Sequence, residues 1–567
     1  MKNLLVYKKP EEKNVKTIAR ILKCSKIIAK LLVNRGIKTP EKAFSFLYPR
    51  LEDLTDPFLL KDMDKGVKRI WKAIINHEKF LIFGDFDADG ITATSLINDF
   101  LLYTGAEVSW YIPHRIKEGH SLKKQHINMA VKQNIDIIIT VDCGSNCDEA
   151  VNDAAKEDID IIITDHHEIN NIHTSKAFAL INPKRKDCSA GLSYLAGVGV
   201  AFYLIIALRK YMRKKGFWEN IKEPNLIEYC DLVAIGTIAD MVPLTNENRI
   251  LSVRGIKVLQ RGKRPGIKTL LDISGVDYNN IDSDDIPFKI VPRINAAGRL
   301  SHARICVTLF TAIEKTGTKQ TAALLDELNK KRQIIEKSII EDIEKKINQD
   351  TKILKKSSII LWDKSWNPSV LGIAASKIAK KYYRPVILIA RGLNPAMGSC
   401  RSIENINIYQ ILNMCSHFFE KFGGHSMAAG FSIKQEKIED FSEEFEKKII
   451  ENYSKKNLKK KILIDSSLEL NEITEEFINE TNQLKPFGNS NPAPLFSCSD
   501  VKVVSSIIFG TKHRKMILEK SGFKKEAIHF NIKNIIDLPM YFKKIIFRLT
   551  LNRFNKKNIP QLIIEHT

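Results

Sequence analysis

The sequence predicts an α/β protein: a parallel-sheet first domain, a long connecting helix, a second α/β domain and a C-terminal β-barrel. Three observations carry this expectation. Short Ile- and Val-rich runs alternate with amphipathic stretches from about residue 79 onward. A charged run at 318–350 contains neither Gly nor Pro and keeps helical periodicity. A series of short, turn-separated β runs closes the chain.

Residues 1–75 form a helical region. In "TIARILKCSKIIAKLLVNRG" the apolar residues fall at helical spacing, and Gly36 stands where a C-cap would. Residues 76–317 carry "KFLIFGD", "VSWYIP", "DIIITVD", "IDIIITD" and "FALINP". Continuous apolar strands separated by helical stretches predict a parallel sheet covered on both faces. Residues 318–350 predict the connecting helix. The second α/β domain, 351–455, holds "SSIILW", a helix from "PSVLGIAASKIAKKYY", "PVILIA" and "KFGGHSMAAGFSI". The lysine-rich "SKKNLKKKI" marks the next boundary. Over 456–567, "LFSCSDVKVVSSIIFG", "KMILEK", "AIHFNI", "IIFRLTLNRF" and "QLIIEHT" suit a small barrel such as an OB-fold.

Composition narrows the class. A hydrophobic share of 44% in 567 residues excludes a disordered chain. No run reaches ~18 apolar residues, so no membrane span is expected. "MKNLLVYKKP" is too charged for a secretory signal, and a cytoplasmic location is the expectation. The nine cysteines are scattered, and Cys143 and Cys147 do not make a Cys-x-x-Cys pair, so free thiols are expected. The net charge of +23 predicts a polyanionic partner. AT-biased coding would also enrich lysine, isoleucine and asparagine.

In doubly wound sheets, ligands collect outside the carboxyl ends of the strands. Here the ionisable residues fall at the ends of apolar runs: Asp85, Asp87 and Asp89, then Asp142, then Asp165, His166 and His167, and finally Asp240 in "DLVAIGTIADMVPL". Four segments thus bring carboxylates and imidazoles to one edge. Such a cluster is self-repelling and poorly solvated unless cations neutralise it. Oxygen-rich ligands with a few imidazoles suit Mn²⁺ or Mg²⁺ better than structural Zn²⁺. A central aspartate such as Asp142 could bridge two ions ~3.5–4 Å apart, as in phosphate ester cleavage. The calcium-loop reading of Asp-x-Asp-x-Asp-Gly fails, because its twelfth position is Leu96 and a strand precedes it. A zincin reading fails because Asn171 stands where the second histidine should.

"DFDADG", "VDCG", "DHH" and "AIGTIADMVPL" resemble the four motifs of the DHH phosphoesterase family. Their order and spacing are similar to the bacterial single-strand-specific 5′→3′ DNA exonucleases of that family. The resemblance continues through "VPRINAAGRL", "NPSVLGIAASKIA", "MGSCRS", "FGGHSMAAG" and "LKPFGNSNPAPLF". "FGGHSMAAG" resembles the glycine-rich motif of the DHH-associated domain, and the C-terminal β region lies where these exonucleases carry an OB-fold.

The resemblance implies two Mn²⁺ or Mg²⁺ ions. Asp87 and Asp89 would each favour a different ion, Asp142 would bridge them, and His166 and Asp240 would complete the second. Asp85 and His167 would act as ligands or just behind them, with His167 near the scissile phosphate, and Asp165 belongs to the same metal set. Asp142, His166 and His167 are the expected catalytic residues. The implied activity removes mononucleotides from the 5′ end of single-stranded DNA, in DNA repair and recombination. The implied partners are single-stranded DNA, a single-strand-binding protein and a helicase, and the chain would be a monomer with no membrane partner.

Arginine forks match phosphate oxygens. The candidates are Arg115, Arg293, Arg299 and the pair Ser399 and Arg401, with Arg115 and the last pair implied as a 5′-phosphate pocket. Gly423 and Gly424 beside His425 could admit phosphate to backbone N–H groups. Phe487, Phe496, Phe530 and Phe554 are stacking candidates. Where the family commonly has a histidine, this chain has Asn367. Two other functions compete: a DHH phosphodiesterase of short oligonucleotides or cyclic dinucleotides, and a non-catalytic single-strand-binding scaffold. The long chain and barrel argue against the first, the full acidic set against the second.

Overall fold

The structure is a computed structural model and describes residues 4–119, 121–169, 176–454, 458–510, 512–532, 538–552 and 559–567. The chain divides into two units. The larger comprises Val6–Asn295, Ala303–Ala322 and Leu463–Thr567, and the smaller includes Ala296–His302 and Ala323–Ile462.

In the larger unit, five parallel strands form a sheet in the order Glu107–Tyr111, Lys79–Gly84, Ile137–Val141, Asp160–Thr164 and Ala179–Ile181. All five were legible as apolar runs. The strand Ile137–Val141 is buried along its whole length, as a strand covered on both faces must be. Register matters for the site. Gly84 pairs with Val141, Val141 with Thr164 and Thr164 with Ile181, so the residues that follow each strand lie along one edge.

The helix Ala88–Tyr103 rises directly from the first strand end, with Asp87 as its N-cap. A second helix, Gly197–Lys214, presents its N-terminus to the same edge. Asp240 is not at a strand end. The run "DLVAIGTIA" belongs to the helix Cys230–Ala239, and Asp240 caps its C-terminus. An apolar stretch buried on all sides carries no periodicity to separate helix from strand.

The N-terminal region is helical after a short strand, Leu4–Tyr7, which the sequence reading omitted. Its helices share a core with the C-terminal β region. Val15, Ile18, Leu31 and Leu32 pack in one cluster with Phe496, Val501, Leu518 and Phe547. That β region closes as a barrel of Phe496–Phe509, His513–Lys520, Phe523–His529, Ile559–His566 and Tyr541–Asn552, the last pairing back to the first.

A 32-residue helix runs over Thr318–Gln349. The smaller unit has a mixed sheet in the order Phe419–Gly424, Ala428–Ile433, Ala396–Arg401, Val386–Ala390 and Ile359–Asp363. All nine cysteines are free thiols. No helix among the described residues is long and apolar enough to cross a membrane.

Candidate active site

At the sheet edge, three overlapping groups offer ligand atoms within 4.8 Å of one another: Asp85, Asp87 and Asp142; Asp89, His166 and Asp240; and Asp142, His166 and His167. Seven of the predicted residues therefore meet. Asp142 and His166 each belong to two groups, the position that a bridging ligand requires.

The electrostatics are those of a cation site. Burial and neighbouring carboxylates push Asp89 and Asp142 well above the ordinary carboxylate range. Burial and Asp87 push Asp85 up to about 8 and Asp240 up to about 7. His166 is pushed the other way, to about 3, by burial and by the charge on His167. Its single proton sits on Nδ1, which donates to the Leu195 carbonyl at 3.0 Å. The Nε2 lone pair is thereby turned toward Asp142 Oδ1, 3.2 Å away, Asp240 Oδ2 at 3.6 Å and Asp89 Oδ2 at 3.9 Å. Neither His166 Nε2 nor Asp142 Oδ1 has a hydrogen-bond partner, although both are buried. An imidazole lone pair facing a buried carboxyl fits a divalent cation, with a proton taking its place on the carboxyl when the metal is removed.

Backbone groups that the sequence reading missed complete the cradle. The N–H groups of Gly197 and Val198 donate to the two oxygens of Asp89 at 2.7 and 2.9 Å. A helix N-terminus is a natural partner for a carboxylate. Gly197 is small by necessity, since a Cβ there would lie 2.4 Å from Asp142 Oδ1. The only sequence signal was "AGVGV" opening a helix. Asn295 was missed too, and its side-chain oxygen accepts from the Ala88 N–H at the start of the first helix.

Asp165 departs from its predicted place among the ligands. Its oxygens accept from the N–H groups of Ser145, His166 and His167 and from His167 Nδ1 at 2.8 Å. It is absent from all three ligand groups. Burial opposes ionisation of Asp165, yet the contacts with His167 hold it below the usual range. Burial would likewise lower His167, but the bond to Asp165 outweighs it and raises the imidazole to about 9. His167 is thus a cation at neutral pH, its side chain 44% exposed beside the ligands.

Arg115 lies half-buried over the Phe86 ring at 4.7 Å, and its charge is opposite those of Asp87 and Asp85. Arg293, in the helix Val291–Leu300, donates to the Lys289 carbonyl.

In the smaller unit, Ser399 and Arg401 lie on one strand. Arg401 donates through Nε to Ser376 Oγ at 3.1 Å and through Nη1 to Ser399 Oγ at 3.4 Å. Gly372 makes room for this guanidinium, as a Cβ there would stand 2.6 Å from Arg401 Nη2. Arg299 donates to the Ser369 carbonyl. Asn367, the departure from the family pattern, caps the helix Pro368–Tyr382 by accepting from the Ser369 N–H. Gly423 pairs with Gly430, which pairs with Ser399, Gly424 ends the strand by pairing with Ala429, and His425 opens the exposed turn of that hairpin. Of the stacking candidates, Phe496 is buried in the barrel core and Phe487 packs against it. Phe530 is 43% exposed, beside Phe509 and His513. Phe554 lies outside the described residues.

Comparison with known proteins places this geometry. Residues 79–237 match the DHH family N-terminal domain, 354–451 the DHHA1 domain and 464–566 the RecJ OB domain. The chain is 34% identical to the single-stranded-DNA-specific exonuclease RecJ of Bacillus subtilis, over 98% of this chain and 70% of that protein. The structure resembles RecJ of Thermus thermophilus in complex with Mn²⁺ with a TM-score of 0.82, at 24% identity, covering 99% of this chain and 79% of that one. It also resembles an exonuclease RecJ bound to manganese with a TM-score of 0.58, at 29% identity, over 70% of this chain and 96% of the other. With the three domains in the order that the motifs predicted and the identity extending over nearly the whole chain, this protein belongs to the RecJ family of DHH exonucleases.

Proposed function

We propose that the protein is a metal-dependent exonuclease that hydrolyses single-stranded DNA from its 5′ end, releasing mononucleotides. The observation that carries this reading is the pair of orphaned, buried acceptors, Asp142 Oδ1 and His166 Nε2, at the shared centre of three ligand groups. Asp85, Asp87, Asp89, Asp142, His166 and Asp240 would hold two Mn²⁺ or Mg²⁺ ions. When bound, such ions supply a water-derived nucleophile at neutral pH and neutralise charge on the phosphoryl group.

The remaining groups bind and orient. His167 keeps a proton on Nδ1 through Asp165 and leaves Nε2–H for a phosphate oxygen. Arg115 adds a second positive group near Asp85 and Asp87. Arg401 and Ser399 would receive a terminal phosphate, whose extra ionisable oxygen distinguishes an end from an internal diester. The barrel would contribute affinity for the strand.

The test is incubation with Mn²⁺ and labelled 5′-phosphorylated single strands, duplexes and dinucleotides. Release of mononucleotides from the 5′ end of single strands, with duplex resistant, is expected. Cleavage confined to dinucleotides would move the protein to the short-substrate phosphodiesterases, and binding without cleavage would make it a scaffold.

A further inference from the structure

The segment "KPFGNSNP" belongs to the C-terminal part of the chain, yet its contacts run to the turn that follows Asp240. Met241 has the left-handed conformation, with φ of 58°, and its side chain is exposed. An L-residue there carries about 1–2 kcal/mol of strain that its surroundings must hold. Besides the helix's own Met241 N–H to Ile238 carbonyl bond at 3.4 Å and the Asn248 amide on the Pro243 carbonyl, Asn489 holds this turn. The side-chain amide of Asn489 donates to the Met241 carbonyl at 2.6 Å, and the Leu244 N–H donates to the Asn489 carbonyl at 2.9 Å. Both ends of the turn 241–244 are thereby tied to Asn489.

Asn489 is itself fixed. Gly488 and Asn491 exchange two backbone hydrogen bonds around it, at 2.9 and 3.2 Å. Asn491 is fully buried, donates to the carbonyls of Leu484 and Pro486, and accepts from Arg35 Nε at 2.7 Å. Among the proposed ligands that contact His166, Asp240 is the least enclosed: its side chain is 27% exposed, against 2–3% for Asp89 and Asp142. Packing alone constrains it least, so its placement depends most on the backbone that follows.

We propose that Asn489 is a positioning residue for the metal ligand Asp240, clamping the strained Met241 turn so that the carboxylate stays aimed at His166 and Asp89. The inference rests on the reading of Asp240 as a ligand. It gives the C-terminal segment a role in cation binding, separate from any grip on DNA.

The experiment compares full-length wild type, Asn489→Ala and Ser490→Ala, the last removing only a long 3.4 Å hydroxyl contact to the Asn489 side-chain oxygen and none of the bonds to the 241–244 turn. Mn²⁺ binding is followed by calorimetry, unfolding by melts in chelator, and turnover by cleavage of a 5′-phosphorylated single strand across a Mn²⁺ titration. Losing one hydrogen bond to this turn should weaken Mn²⁺ binding about 3–10-fold. The Mn²⁺ concentration for half-maximal turnover should rise in parallel, with turnover at saturating Mn²⁺ within about twofold of wild type. Ser490→Ala should match wild type, and melts in chelator should coincide. Unchanged Mn²⁺ binding by Asn489→Ala, beside an active wild type, overturns this inference alone. A wild type that neither binds Mn²⁺ nor cleaves overturns the functional reading and this inference with it. If Asn489→Ala melts early, Asn489→Leu, close in volume and without a donor, is measured instead. Early melting of both would make the residue structural and end the proposal.

Discussion

His166 Nε2 and Asp142 Oδ1 stand 3.2 Å apart, both buried and neither with a hydrogen-bond partner. With Asp142 ionised this contact is unfavourable, and a proton or a cation must relieve it. Asp142→Ala should therefore lower hydrolysis by at least about 10³-fold, since several kcal/mol of transition-state charge stabilisation depend on ions held there. It should also leave the fold intact, because it removes a like charge from the cluster. Steady-state rates in Mn²⁺ and Mg²⁺, with circular dichroism as the control, check this. Retention of a tenth of wild-type turnover would sink the bridging assignment.

The same cluster makes stability depend on pH and metal together. Asp85 is raised to about 8 and Asp240 to about 7 in the folded chain, against values near 4 when unfolded. The folded state thus binds more protons, so their contribution is fully present below about pH 4 and is lost as pH rises through 7 and 8. In chelator the melting temperature should fall between pH 6 and pH 8.5. Saturating Mn²⁺ should flatten that slope, because cations take over from protons. A melting temperature that is flat in chelator would contradict the shifts.

How much of this was legible in the sequence follows from what each group is. Asp85, Asp142 and His166 could be read because an apolar run stops at a charged residue, a signal carried by residue type. Asp240 could be read as a site residue but not placed, because a run buried on all sides hides its helical period. The Leu195 carbonyl and the Gly197 and Val198 N–H groups could not be read, since every residue has such atoms and only the fold aims them. Asp165 was assigned by its neighbours to the metal, when the structure turns its oxygens to His167 and to three backbone donors.

That correction is itself testable. Asp165→Asn removes the charge that keeps His167 cationic near neutrality. The His167 value, raised to about 9 in the wild type, should drop below 7, moving the basic limb of the pH–rate profile to lower pH. Activity at pH 8 should fall about 10–100-fold, with Mn²⁺ binding changed far less. If Mn²⁺ affinity collapses while the profile keeps its shape, Asp165 is a ligand after all.

The barrel cannot simply be trimmed to test its grip on DNA. Arg249 is buried and donates to the carbonyls of Phe46, Leu484 and Gln483, with its guanidinium 3.9 Å from the Phe46 ring centre. Deleting residues from 461 onward would remove two of those acceptors and strand a buried cation, at about 3–5 kcal/mol. Unfolding of that truncation is the expected result. The cleaner variant is Phe530→Ala, at an exposed aromatic cluster. It should weaken binding of a long single strand by about 1–3 kcal/mol while leaving cleavage of a pentanucleotide nearly unchanged. Equal losses on both lengths would exclude stacking there.

The last prediction concerns the 5′ end. Arg401 is held by Ser376 and Ser399 against a helix where Gly372 leaves no room for a side chain. A guanidinium fixed beside a hydroxyl suits a terminal phosphate, which carries an ionisable oxygen that an internal diester lacks. Arg401→Ala should lower activity on 5′-phosphorylated single strands by about 10–100-fold, the loss of ~1.5–3 kcal/mol of charge-assisted contact. Strands with a 5′-hydroxyl never make that contact and should lose much less. Gly372→Ala should act in the same direction, by pushing the guanidinium aside without removing its charge. Rates for wild type and both variants on both ends, at one salt concentration, close a cycle in which the coupling between Arg401 and the terminal phosphate is read directly. Equal losses on the two ends would make Arg401 a general backbone contact, and recognition of the end would then fall to Arg115 or Arg299.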